Sequence, residues 1–224
     1  MILTLLLLLF PIGERFEYEA RYSFLNLGTM ILEIRDTITY EGTPCYLISS
    51  ILNSTNSLRF LFSIDDTIDV YTSIDGLIPV LYQERINESG YRRSSDLHFD
   101  HAAGTVSYDD TLIIRIDGDT RDVLSFWYYM RLLPLQVGDT LVVSVHSARE
   151  NHDIMCVVED SVRIKTKAGE FNTILVEPKT EGKGIFGSRG GMKIWYSEPE
   201  RMPVQIQASM KFGSVTFKLQ EVSY

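Results

Sequence analysis

Hydrophobic and polar residues alternate along most of this chain with a period of two. Phe16, Tyr18, Ala20, Tyr22 and Phe24 fall on one side, and Glu17, Glu19, Arg21 and Ser23 on the other. That is the pattern of a strand with one buried face. Val204, Ile206, Ala208, Met210 and Phe212 repeat it, and after Gly213 the phase inverts so that Val215, Phe217 and Leu219 become the apolar set. A glycine at a phase flip marks a bulge or tight connection. Further strands are expected over 30–40, 45–53, 64–72, 78–87, 91–100, 105–108 and 111–116, then over 140–146, 153–166, 171–178 and 192–197. Turn residues separate them at Glu41-Gly42, Asp75-Gly76, Ala103-Gly104, Asp117-Gly118-Asp119 and Ala168-Gly169. Short, closely spaced strands with one polar face point to an antiparallel all-β fold.

One segment breaks the alternation. Arg121 to Leu133 reads RDVLSFWYYMRLL, with Val123, Phe126, Trp127 and Met130 at the spacing of one helical face. Asp122 suits an N-cap and Pro134 a stop, so a helix is expected over 122–132. Its aromatic residues need cover on nearly every side, which places it inside a concave β surface.

The chain also resembles itself. Val70-Tyr71-Thr72-Ser73 with Pro79-Val80 reads like Ile194-Trp195-Tyr196-Ser197 with Pro203-Val204. Ser73 to Ser197 and Pro79 to Pro203 are the same shift of 124 positions, and Asp36 to Asp160 repeats it. Such periodicity implies two related halves, here about 13–120 and 138–224, joined by the helix. The expected fold is a single all-β domain over 13–224, a strongly curved sheet or partly open barrel wrapped around the helix.

A net charge of −9 and a pI near 4.9 exclude nucleic acid as a natural partner, since phosphate binding needs a basic face. Residues 1–12 begin with an almost wholly apolar run. It is too short to span a bilayer as a helix and reads as the apolar core of a secretory signal, though no basic residue precedes Arg15; a buried N-terminal strand is the other reading. Cys45 and Cys156 lie in apolar strand-like runs and read as buried free thiols, with a disulfide open to an exported protein.

Several residues form a recognisable set: Gly13-Glu14, then Asp122-Val123-Leu124-Ser125 with Tyr129 and Arg131, and Ala168-Gly169-Glu170-Phe171. Trp195 with Ser197, Arg201 with Pro203-Val204, and Phe212-Gly213-Ser214 complete it. In order and spacing the chain resembles an uncharacterised family of bacterial exported proteins, the domain of unknown function numbered 3108. The resemblance covers nearly all of the chain after the leader. It implies an exported protein of the periplasm or outer envelope and a mostly β fold, with no known activity, cofactor or catalytic residue. Ser197-Glu198-Pro199-Glu200 departs from the Asp-rich turn more usual at that place.

Catalytic signatures are absent: the chain has no G-x-S-x-G, H-E-x-x-H, C-x-x-C or phosphate-loop motif. His98, Asp100 and His101 bring at most two groups to one strand face, too few for a metal. His146 and His152 flank an expected hairpin turn, and Asp117-Gly118-Asp119 lacks the Glu that completes a calcium loop. Asp65, Asp66 and Asp69 could supply paired carboxylates for acid–base work, but a solvated strand end is the default reading. The glycine-rich stretch 181–191 carries Ile185 and Phe186 at its centre and reads as a hairpin connection or an apolar-tipped flap. Arg131 at the helix end is expected to pair with an acidic strand residue or to cap helix carbonyls.

The leading expectation is a non-catalytic cell-envelope protein that binds or carries an apolar or lipid-like ligand on its concave face. Phe126, Trp127, Met130, Arg131, Ile185 and Phe186 are the candidate contacts. No cofactor and no metal are expected; a lipid, an envelope protein and the membrane surface are the expected partners. A structural subunit with a filled interior is the alternative, and a carboxylate-dependent hydrolase the weaker one. Free volume on the concave face separates the first two.

Overall fold

The computed structural model of the chain describes residues 9–180 and 191–224. The first half forms β1 (Arg15–Tyr22), β2 (Leu25–Tyr40), β3 (Thr43–Ser54), β4 (Asp65–Ser73), β5 (Pro79–Glu88), β6 (Tyr91–Asp100), β7 (Thr105–Tyr108) and β8 (Leu112–Arg115). Helix α1 (Val123–Met130) follows. The second half comprises β9 (Thr140–Ser147), β10 (Glu150–Lys165), β11 (Glu170–Lys179), β12 (Met192–Ser197), β13 (Pro203–Ser209) and β14 (Ser214–Ser223). All belong to one 14-stranded antiparallel sheet, in which each half is a meander and β1 pairs with β14. Strands β8 and β9 are left as the two edges, so the sheet is not closed into a barrel.

Alternation sets the faces. Phe16 and Tyr18 on β1, Leu32 and Ile34 on β2, and Ile194 and Tyr196 on β12 point into one core around α1. A smaller cluster of Leu97, Phe99, Val106, Tyr108 and Ile116 lies under β6–β8, with Tyr82 packed against both clusters. Cys45 and Cys156 are buried free thiols.

The expected repeat is built into the hairpins. In β4–β5, Ser73 N donates to Ile78 O at 2.8 Å, and Ser73 Oγ accepts from Ile78 N at 3.0 Å. In β12–β13, Ser197 and Met202 make the same two bonds at 2.8 and 3.0 Å. Leu77 and Arg201 hold the matching positive φ of 53° and 58°, and both pairs shift register just before Thr72↔Pro79 and Tyr196↔Pro203. The repeated Ser and Pro therefore encode one bulged hairpin, used twice.

The helix and two strands are shorter than their patterns predict. The helix ends at Met130, because Arg131, Leu132 and Leu133 donate to carbonyls three residues back and tighten the last turn. Its buried residues are Leu124, Ser125, Phe126, Tyr128 and Met130, while Val123 and Trp127 of the expected stripe are half-buried. The sheet surrounds the helix, so no single stripe defines its inner face. Strands β1 and β13 stop at Tyr22 and Ser209, which leaves Phe24, Met210 and Phe212 exposed in the turns. Here Tyr22 Oη donates to Phe212 O at 2.9 Å, and its ring lies where a Cβ on Gly213 (φ +73°) would fall. Only glycine meets both demands.

The start of β1 is tied to the end of the helix. Arg131 donates to both Glu14 carboxylate oxygens, at 2.5 and 2.8 Å, and both side chains are almost fully buried. Phe10, Phe16 and Tyr128 ring the guanidinium, with Phe10 centred 4.3 Å away. Removing one partner of such a pair leaves a buried charge, which costs about 3–5 kcal/mol, whereas an apolar pair of similar volume is often neutral. Glu14→Leu is therefore expected to lose most of that amount in chemical denaturation, and Glu14→Leu/Arg131→Met to recover much of it. A double variant no more stable than the single one would show that the pair has no such role.

Candidate functional site

The helix does not fill the whole concave face. A half-open cleft of about 930 Å³ remains between the inner faces of β5–β7, the start of α1 and the β9–β10 turn. Tyr82, Ile86, Leu97 and Val123 supply its apolar wall, while Glu84, Arg93, Asp122, His146 and Arg149 supply the polar one. Tyr82↔Leu97 and Glu84↔Ser95 are cross-strand partners, so the two kinds of wall come from successive inward positions.

The polar groups are mostly paired. Glu84 bonds Arg93, two residues along β6 from its cross-strand partner Ser95. Burial raises the Glu84 carboxyl above its ordinary range, against the pull of Arg93. Burial likewise raises Asp122, although Leu124 N, Ser125 N and the Ser125 hydroxyl all donate to it as the helix N-cap. At the outer end Glu88 is raised by burial, then by the charge and hydrogen bond of Asp66.

His146 joins the two edges of the sheet. Asn151 Nδ2 donates to Arg115 O at 2.7 Å, which turns Oδ1 toward His146 Nδ1 at 2.6 Å. The Nδ1 atom therefore carries the proton, and Nε2 accepts from Tyr108 Oη at 2.7 Å. Arg149 N donates to the same phenol oxygen at 3.1 Å. Phe99 packs edge-on to the imidazole. His146 lies on the face of β9 opposite to Val143 and Val145, which belong to the main core. The inner side of β6–β7 thus covers the reverse side of β9, and the edges overlap. With both ring nitrogens engaged, His146 has no free lone pair for general-base work.

Of the candidate contacts, Phe126 and Met130 are fully buried in the core, and Trp127 is half-buried against it. None of the three lines the cleft, nor does Arg131, which pairs with Glu14 as an acidic partner at the start of β1. Ile185 and Phe186 lie outside the described residues. His98 faces Tyr40 at 3.4 Å, while His101 sits between the carbonyls of Pro79 and Gly118. His152 lies opposite Val145, away from the His146 pairing. Asp65 pairs with Arg59, Asp66 accepts from Asn87 N, and Asp69 accepts from Ser49, so the three carboxylates share no site. Among the described residues no three His, Cys, Asp or Glu side chains are grouped to hold a metal. Sequence reasoning missed Tyr82, Glu84, Arg93, Tyr108 and Asn151; Glu84 and Arg93 carried a signal, since each is a charge in the same alternation phase as apolar residues, Tyr82 and Ile86 on β5 and Leu97 and Phe99 on β6.

A family profile described as a protein of unknown function (DUF3108) matches residues 17–220. No curated protein matches the chain in sequence. Among solved structures, a β-barrel-like protein of domain of unknown function DUF1849 from Brucella abortus has a TM-score of 0.61 at 9% identity, over 95% of this chain and 97% of its own. An inferred lipoprotein of Parabacteroides distasonis gives 0.40 at 11% identity, over 95% and 96% of the two chains. An inferred exported protein with a YmcC-like fold from Bacteroides fragilis gives 0.37 at 10%, over 96% and 97%. The first of these similarities establishes the curved, barrel-like fold.

Burial holds the His146 imidazole below its ordinary pKa, against the bond to Asn151. As pH falls through about 6.5 the unfolded chain takes up the proton first, so the contribution of His146 is complete above that pH and is lost below it. Glu84, Glu88 and Asp122, whose folded pKa values are raised, act in the opposite sense at lower pH. Melting temperatures of the wild type should therefore fall more steeply than those of His146→Gln between about pH 7 and pH 5.5. Parallel curves would remove His146 from the account.

Proposed function

The chain belongs to the DUF3108 family, and on that footing we propose that it is a non-catalytic protein of the cell envelope that holds a lipid-like, amphiphilic ligand in the cleft beside α1. The observation that carries this reading is the cleft itself. A volume of about 930 Å³ falls within the range of small-molecule sites, and it is kept on a concave face that the helix otherwise fills. An acyl or other apolar portion of the ligand lies against Tyr82, Ile86 and Leu97, and a polar head reaches the Glu84–Arg93 pair and Arg149. The family resemblance to bacterial exported proteins supports the envelope location.

Full burial of Phe126 and Met130 favours a second reading, a structural subunit of an envelope assembly. Under it the cleft is only a wet gap between overlapping edges. The two readings differ in what the protein carries. Native mass spectrometry of protein purified from its own membrane fraction should show a bound amphiphile, lost on mild delipidation. Rebinding of a fluorescent fatty acid should then weaken at least about tenfold in Leu97→Arg, which sets an unpaired charge in the apolar wall. A protein free of lipid that also fails to take up the probe would leave the structural reading standing.

A further inference from the structure

In an antiparallel meander every second connection lies on the same rim of the sheet. One rim here carries the turns β1–β2, β3–β4, β5–β6 and β13–β14, and direct bonds link them into one arc. Tyr22 Oη donates to Phe212 O at 2.9 Å, Thr55 N to Leu27 O at 2.9 Å, and Ser89 N to Ser63 O at 2.8 Å. Large apolar side chains stand outward at these tips: Phe24 is 83% exposed, Phe60 87%, Leu61 71% and Phe212 74%. Tyr91, half exposed at the start of β6, belongs both to the arc and to the mouth of the cleft.

We propose that this arc is a membrane-docking surface, whose aromatic tips enter the headgroup region of a lipid bilayer. Three features favour a bilayer as the occupant. The apolar residues stand on separate turns instead of forming one flat patch, so a fluid interface can admit each of them. Phenylalanine on a turn has no other source of burial, and each ring removed from water contributes substantially to partition. In a chain of net charge −9, a cation also adjoins each tip. Arg59 precedes Phe60, Arg92 follows Tyr91, Arg21 is the penultimate residue of β1 ahead of Phe24, and Lys211 sits 5.5 Å from the centre of the Phe212 ring. Arg21 and Arg59 are partly offset by Glu19 and Asp65, which leaves modest attraction to lipid phosphates. On the other side of the same rim the β7–β8 and β9–β10 turns carry Asp109, Asp110 and Glu150 with a single cation, Arg149, and no exposed phenylalanine, so the aromatic arc is the side that meets the bilayer. The cleft mouth, between Tyr91 and Arg149, lies where the two sides meet.

The test is flotation of the purified protein with vesicles of phosphatidylethanolamine and phosphatidylglycerol, and with vesicles of phosphatidylcholine alone. The wild type is expected to float with the first, more weakly with the second, and less in high salt. Phe24→Ser/Phe60→Ser/Phe212→Ser should lose at least about tenfold in partition, with its circular dichroism and melting unchanged because the three side chains are largely exposed and outside the core. Val137→Ser/Val142→Ser, which removes exposed apolar residues away from the arc, should bind as the wild type does. A tryptophan placed by Phe60→Trp should shift its emission to the blue on vesicle addition. A wild type that floats with neither vesicle, or a triple variant that floats as well as the wild type, would overturn the proposal. Leu97→Arg, which blocks the cleft, should still float, so this result and the ligand-binding one can fail separately.

Discussion

The buried Glu14–Arg131 pair fixes where the helix ends relative to the sheet, and much of the interior follows from that. Glu14 stands just ahead of β1, and its backbone already joins the ladder, with Ile34 N donating to Glu14 O at 2.9 Å. Arg131 follows the last residue of α1. A two-pronged bond between them sets the height of the helix inside the sheet and its rotation about its own axis. Tyr18, beside them, donates to Pro203 O at 2.7 Å and so fastens the same region to the second copy of the bulged hairpin. One charged pair thus sits where β1, the helix and the repeated hairpin converge.

With the helix held there, its N-terminal end has to face the other side of the sheet. Asp122 caps it between β5–β7 and β9, where the sheet rolls over its own edge. Space is left because β6 and β7 cover the reverse side of β9 and so stand off from the helix. The polar character of that space has the same origin. A helix start brings a capping carboxylate and a strand edge brings unpaired backbone groups, and neither can be placed against a purely apolar wall.

The strands were legible because each keeps one face in the core and one in solvent, so a period of two survives in the sequence from Phe16 to Leu219. The helix was legible through Asp122, Pro134 and the loss of alternation. Its inward face was not, because a stripe is diagnostic only when one side of a helix is covered, and here Leu124 and Tyr128 are as buried as Phe126. The cleft was less legible still. Tyr108, His146 and Asn151 come from three strands, and their meeting depends on how far the sheet curls, which no local pattern records. Glu84 and Arg93 did leave a trace, as charges at inward positions, but a single sequence does not separate such a trace from a solvated strand end. Phe24, Met210 and Phe212 were misplaced within strands because the alternation runs on past the turns that end them.

The overlap of the two edges has one more consequence. Strands within the sheet are joined by backbone ladders, but where β7–β8 meets β9–β10 the links are Tyr108 to His146, Asn151 to Arg115 and Arg149 to Tyr108, beside one short backbone bridge from Arg121 to β9. A cylinder closed by backbone bonds has its circumference set by its strand number. In a rolled sheet the circumference depends instead on the few bonds that hold one edge over the other. The bore of this molecule is therefore set by a latch and not by a strand count, and the imidazole of His146 is the side chain at the centre of that latch.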